Sequence, residues 1–236
     1  MAATGKDLLK LARKHIGEKY VFGANVPKNN PGWIGPWDCA EFISWVVYQT
    51  VGQLFGCGDD AGNPATADAY TGYWKRDAET VLDRVSPQDA AIRPGGIVLR
   101  VSHPDQKVGH IVFADGEGGT VEAHSTRRGV IASVLEGRRW DTGILIPGVA
   151  YEPKSAAVDL GGGDEDIYRL AEPHMQGPMV KRIQRALKAA GFNPGDIDGD
   201  FGDVTHAAVL AFQVAKGLVP DGEVGTKTAK ALRIKL

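Results

Sequence analysis

Residues 36–49 read PWDCAEFISWVVYQ, and this run decides the fold of the first half of the chain. Phe42, Ile43, Val46 and Val47 recur at helical spacing and Asp38 is a favoured N-cap, so Cys39 is predicted to open a helix with its sulfur at the positive end of the dipole. That position predicts a thiol easier to ionise than a free cysteine. Residues 109–116, GHIVFADG, read as a strand and put His110 on a second element. A cysteine at a helix start with an imidazole in reach is the usual arrangement of a nucleophilic cysteine enzyme. A cysteine taken alone is more often a small apolar filler, and Cys57 in GCGDD keeps that reading. For Cys39 the conjunction of several residues outweighs it.

Working outward, the composition is that of an ordinary folded protein large enough for one or two cores, with 43% hydrophobic and 24% charged residues over 236 positions. A formal net charge of −2, mixed along the chain, leaves no basic stripe and argues against nucleic acid as a partner. Two cysteines make no disulfide framework and have no zinc-ligand spacing. Residues 1–17, MAATGKDLLKLARKHIG, lack the features of a secretory signal and read as an amphipathic helix capped by Thr4, with Leu8, Leu9, Ala12 and Ile16 on one face. The longest apolar runs, such as ISWVV, fall far short of the ~20 residues that cross a bilayer, so no integral membrane segment is expected. These features predict synthesis in the cytosol.

Residues 151–166, YEPKSAAVDLGGGDED, have no hydrophobic period and mark a joint. The expected division is a first domain over 1–149, a flexible linker over 150–164 and a small all-helical domain over 165–236. Within the last, Asp198–Thr205 (DGDFGDVT) is echoed 23 residues later by Asp221–Thr228 (DGEVGTKT), each copy leading into a helix. Glycine for the turn and a polar residue for the cap explain most of these positions. Asp196, Asp198 and Asp200 do not make a calcium loop, because the sixth and twelfth places hold Phe201 and Ala207 rather than Gly and Glu.

The tail resembles the peptidoglycan-binding domains appended to bacterial and phage wall hydrolases. GPMVKRIQRALKAAGF, DGDFGDVTHAAVLAFQVAKGLVPDG and VGTKTAKAL carry the resemblance, in order, across 168–236. It implies three helices and a shallow site for wall glycan or stem peptide. Phe201, Thr205, Phe212 and Gln213 are the candidate contacts, with Phe212 more in keeping with a core.

The segment from Thr4 to Pro147 resembles the NlpC-type cell-wall cysteine peptidases of the papain-like superfamily. The matching residues are Tyr20 in GEKYVFGA, Asp38-Cys39-Ala40-Glu41-Phe42, Pro94-Gly95-Gly96, Gly109-His110-Ile111 and Glu122-Ala123-His124-Ser125. The resemblance implies an α+β domain of N-terminal helices on an antiparallel sheet. It also implies Cys39 as nucleophile, His110 as general base, and a polar residue that orients the imidazole. Glu122 and His124 share one strand face at a period of two, and His124 is preferred for the third role. Tyr20 corresponds to a tyrosine near the reacting centre. The chain departs from the family at Glu41, where Gly or Ser is usual, at Gly96, where Asp is usual, and in the loop VPKNNPGWIGPW before Cys39.

The implied reaction is amide hydrolysis through a thioester, without metal or cofactor. Its target would be bacterial peptidoglycan, at the bond between D-glutamate and the following diamino acid. The alternatives are the sugar–peptide amide, an acyl transfer through the same thioester, and a non-catalytic wall-binding protein. A zinc site of His103, His110 and His124 is the metal-based alternative. Asp38, Trp37 and Glu122 join Tyr20 as candidate substrate contacts, and Trp33 and Trp37 could equally anchor their loop. A monomer is expected, delivered to the wall as a phage endolysin or a secreted lytic effector.

Overall fold

The computed structural model describes residues 2–102, 109–158, 160, 167–171 and 173–236. They divide into two compact units: 2–102, 109–135 and 140–158 form the first, and 136–139 with the residues from Leu160 onward form the second. The first is α+β and the second all-α, as the sequence predicts. Among the described residues no helix is long and apolar enough to cross a membrane.

In the first unit, α1 (Gly5–Arg13) opens with a capping box: Thr4 Oγ1 accepts from the Asp7 N–H, and Asp7 Oδ2 accepts from the Thr4 N–H at 3.0 Å. Leu8, Leu9 and Ala12 are buried, but the helix ends before Ile16, which is 45% exposed rather than on the apolar stripe. Asp38 caps α2 (Cys39–Val51), its Oδ1 accepting from the Glu41 N–H at 2.8 Å, and Gly52 ends it in the left-handed region at φ 76°. Residues 39–47 are all buried, so α2 is wrapped on every side. Then come α3 (Thr71–Thr80), β1 (Asp83–Val85) and α4 (Pro87–Ala91), followed among the described residues by β2 (Ile97–Arg100), β3 (His110–Ala114), β4 (Gly119–Ser125), β5 (Gly129–Val134) and β6 (Thr142–Leu145). The strands form one antiparallel sheet in the order β1-β6-β2-β3-β4-β5. Leu99, Ile111, Phe113, Val121 and Ala123 join the buried faces of α1 and α2 in one core.

Residues 150–155, expected to begin the linker, are tied to this unit. The Ala150 carbonyl accepts from Gly5 N–H at 2.9 Å and its N–H donates to Ala3 O at 2.9 Å. Tyr151 Oη accepts from Ile146 N–H, Lys154 N–H donates to Ile92 O, and Ser155 Oγ donates to Gly116 O. Residues 159 and 161–164 of the expected linker lie outside the described residues.

The second unit holds α5 (Pro178–Ala189), α6 (Asp203–Ala215) and α7 (Thr226–Ala231) around Val180, Ile183, Leu187, Val209 and Phe212. The sequence repeat has a structural counterpart. Gln184 Oε1 accepts from Gly199 N–H at 2.9 Å, and its Nε2 donates to Asp198 Oδ1, Asp200 O and Thr205 Oγ1. Gln213 Oε1 accepts from Gly222 N–H at 2.9 Å, and its Nε2 donates to Asp221 Oδ1, Glu223 O and Thr228 Oγ1. Each loop is therefore locked by one buried amide from a preceding helix. Gln184→Leu and Gln213→Leu should each lower the stability of this unit by about 1–3 kcal/mol per orphaned group, measured by differential scanning calorimetry.

Candidate active site

Cys39 is 7% exposed at the start of α2, which packs against β3 and β4. The N–H groups of Ala40, Ile111 and Cys39 hydrogen-bond towards its sulfur. Ile111 follows His110, so this contact brings the start of α2 to the strand that carries His110. The expectation of an easily ionised thiol does not hold for this resting geometry. Burial pushes the Cys39 thiol up to about 12, and the Asp38 carboxylate adds to the rise. The N–H groups act in the opposite direction and are outweighed. Asp38, itself raised by burial to about 6, accepts from the N–H groups of Glu41, Ala40 and Gly23. Removing its negative charge favours the thiolate, so Asp38→Asn, which keeps a capping oxygen, should lower the Cys39 pKa. The pH profile of iodoacetamide alkylation at Cys39 checks this; an unchanged or raised midpoint opposes it.

His110 is 7% exposed, and its Nε2 lies 2.5 Å from Oε2 of the fully buried Glu122. The other Glu122 oxygen accepts from Thr120 Oγ1 at 2.7 Å. A carboxylate here requires the proton on Nε2, which leaves Nδ1 as the basic nitrogen. Glu122 is therefore in hydrogen-bond contact with the imidazole, the position for which the sequence reading prefers His124. His124 is half-buried, its Nδ1 is 2.9 Å from Ser125 Oγ, and its ring centroid is 6.0 Å from that of His110. The two candidates share a strand face, but only Glu122 lies deep enough to have no exposed surface. His103 lies outside the described residues, and among those described no group of three or more His, Cys, Asp or Glu side chains could hold a metal ion.

Tyr20, 8% exposed, sits where the Cys39 and Asp38 charges add to burial in raising its phenol pKa. Trp37, expected at a substrate groove, is fully buried instead, its indole N–H donating to Glu18 Oε2 at 2.5 Å. Trp33 is half-buried against the core.

Glu41, a departure from the family pattern, is part of the packed interior. It is fully buried, accepts from Val26 N–H at 3.1 Å and Ala69 N–H at 2.8 Å, and pairs with the fully buried Lys28 ammonium, which also donates to Ala67 O. Burial raises the Glu41 pKa against the opposing pull of Lys28 and the Ala69 N–H. Sequence reading missed Lys28, which lies in an aperiodic loop with no signal beyond its unusual neighbours. At Gly96 a Cβ would meet the Ala90 carbonyl oxygen at 2.3 Å, so backbone crowding excludes any side chain.

The proposed wall contacts of the tail also change. Phe201, Thr205, Phe212 and Gln213 are all buried, and Thr205 Oγ1 donates to Pro194 O at 3.2 Å. One exposed concave surface of this unit is a cleft of about 600 Å³ beside the Asp198–Thr205 loop, lined by Lys188, Asn193, Asp196, Asp203 and Val204 among others.

An α+β unit with a buried cysteine and a buried histidine–glutamate pair, followed by a helical unit of two clamped loops, defines a modular protein. Its last unit is a peptidoglycan-binding domain: residues 176–232 match the peptidoglycan binding domain family. The chain belongs to the same family as an uncharacterized protein in bpoA1 3'region of Kitasatospora aureofaciens, 36% identical over 91 residues, covering 36% of this chain and 73% of that one. It is similar to the N-acetylmuramoyl-L-alanine amidase CwlM of Mycobacterium tuberculosis, 33% identical over 95 residues, and to the N-acetylmuramoyl-L-alanine amidase CwlL of Bacillus licheniformis, 40% over 76. Those matches cover 38% and 30% of this chain but only 23% and 21% of the amidases. Among solved structures, the NlpC/p60 domain of the peptidoglycan hydrolase SagA is 19% identical with a TM-score of 0.42, covering 61% of this chain and 100% of that one. The P60 domain of Mycobacterium avium subspecies paratuberculosis antigen MAP1204 is 17% identical with a TM-score of 0.42, covering 62% and 96%.

Proposed function

We propose that this chain is a peptidoglycan hydrolase of the NlpC type, in which Cys39 cleaves an amide of the stem peptide while the C-terminal domain holds the enzyme on the wall. The observation that carries the reading is the buried His110–Glu122 pair across β3 and β4, with the N–H of Ile111, the residue after His110, directed at the Cys39 sulfur. His110 takes the thiol proton at Nδ1 as Cys39 attacks the amide carbonyl, and the N–H of Cys39 helps hold the oxyanion. Because burial keeps the resting thiol protonated, the base is needed in the attacking step itself. Glu122 fixes the imidazole and supports the imidazolium that forms. His110 then protonates the leaving amine, and water opens the thioester. Tethering by the tail raises the effective substrate concentration. The proposed role is lytic, phage-borne or secreted.

The bond between D-glutamate and the diamino acid is the first assignment. The sugar–peptide amide is the second, favoured by the amidase names of the matched relatives. The departures at Glu41 and Gly96 that suggested a non-catalytic protein each have a packing reason. Mass spectrometry of muropeptides from purified sacculi decides among these: wild type should release new termini that identify the bond, and Cys39→Ala should release none. Cleavage by Cys39→Ala would overturn the cysteine mechanism. Silence from both proteins, with cosedimentation retained, would leave only a binding protein.

A further inference from the structure

One cluster outside the reacting centre joins three residues that the mechanism does not use. His15 follows α1 and is 7% exposed. Its ring meets Trp37, Trp45 and Phe42 edge-on, at centroid distances of 5.2, 4.9 and 6.3 Å. Its Nδ1 lies 3.0 Å from both oxygens of Glu18. Glu18 Oε2 in turn accepts the Trp37 indole N–H at 2.5 Å. Trp37 directly precedes Asp38 and Cys39, and its backbone is held on both sides: its N–H donates to Lys19 O at 3.0 Å, and its carbonyl accepts from Val21 N–H at 2.8 Å.

The other end of Glu18 is fixed to the sheet. Its carbonyl accepts from Val130 N–H at 2.9 Å, and Gly17 N–H donates to Val130 O at 2.8 Å. Gly129 must be glycine for this approach, since a Cβ there would meet the Glu18 carbonyl oxygen at 2.2 Å. Val130 pairs with Ala123, and its neighbour Ile131 pairs with Glu122. One short stretch of β5 therefore references both halves of the centre. It reaches Cys39 through Glu18 and Trp37, and it reaches His110 through Glu122.

We propose that Glu18, braced by His15, is a positioning residue that sets Cys39 in register with His110 through the Trp37 indole. The inference rests on the reading of Cys39 as nucleophile. A hydrogen bond to one side chain just before the N-cap controls where the sulfur sits, and reaction rate responds steeply to such placement. His15 and Trp37 are buried, so loss of this contact should act on turnover rather than on binding.

The test uses full-length protein on a soluble muropeptide identified by the sacculus digestion, with circular dichroism to confirm folding. Glu18→Leu removes the acceptor and Glu18→Gln retains one. Glu18→Leu should lower kcat by about ten- to a hundred-fold with KM little changed, and Glu18→Gln should recover most of the loss. Trp37→Phe removes the donor and should lower kcat in the same way; it decides the matter if Glu18→Leu does not fold. Wild-type kcat in a folded Glu18→Leu or Trp37→Phe variant overturns the inference, as does a loss expressed in KM alone. Equal loss in Glu18→Gln and Glu18→Leu also overturns it. Failure of the cysteine mechanism is a separate outcome, since it shows as activity in Cys39→Ala.

Discussion

Glu122→Ala should reduce kcat on a soluble muropeptide by about a thousandfold, whereas His124→Ala should leave most of the activity. The carboxylate is fully buried, with one oxygen on His110 Nε2 and the other taken by Thr120 Oγ1. Without it the imidazole loses both the partner that selects its tautomer and the negative charge that supports its cationic form. Glu122→Gln should fall between wild type and Glu122→Ala, because the amide oxygen can still accept from Nε2 while its NH2 group turns to Thr120 Oγ1. KM should move little in all three, since the loss lies in the chemical step. The reverse ranking, with His124→Ala inactive and Glu122→Ala active, would return the orienting role to His124.

Lys28→Met should destabilise the first unit by about 3–5 kcal/mol, a large share of the 5–15 kcal/mol that holds a typical domain together. The substitution keeps the aliphatic stem and leaves the Glu41 carboxylate buried without its cation. Adding Glu41→Gln should recover part of the loss by removing the stranded charge. It cannot recover all of it, because Glu41 also receives the Val26 and Ala69 N–H groups and one amide oxygen replaces two carboxylate oxygens. The single variant should also show a stronger pH dependence than wild type, of known sign. Burial already raises the Glu41 pKa and Lys28 opposes that rise, so losing the lysine raises it further. The unfolded chain ionises near 4.5. Above that value the folded state then binds the proton more tightly, and stability falls as pH increases through the window up to the folded pKa. Urea unfolding at a series of pH values measures both effects; a Lys28→Met midpoint within error of wild type would refute the argument.

What could be read from the chain depended on how local its cause was. The capping box at Thr4, the Asp38 cap and the helix opening at Cys39 rest on interactions within three or four residues, and they stand as expected. The two glycine loops of the tail were visible for the same reason, although the glutamines that lock them come from 14 and 8 residues before the locking aspartates. The choice between Glu122 and His124 was not visible, because a period of two assigns a face but not a depth, and depth is set by neighbouring strands. The thiol shows the same division. The helix dipole is a local property and readable, while the burial that outweighs it comes from the packing of α2 on β3 and β4. Trp37 and Lys28 sit in a Gly- and Pro-rich stretch that suggests an exposed loop, and both prove fully buried.

Residues 150–155 bear on any attempt to transplant the first unit onto a different wall-binding tail. A cut at Pro147 would remove the carbonyl that meets Gly5 and the phenol that meets Ile146. Both ends of the domain would be loosened together, since the first helix and the last segment close against each other. A graft point after Ser155 keeps that clasp whole, so the tail could be exchanged without unfastening the first unit.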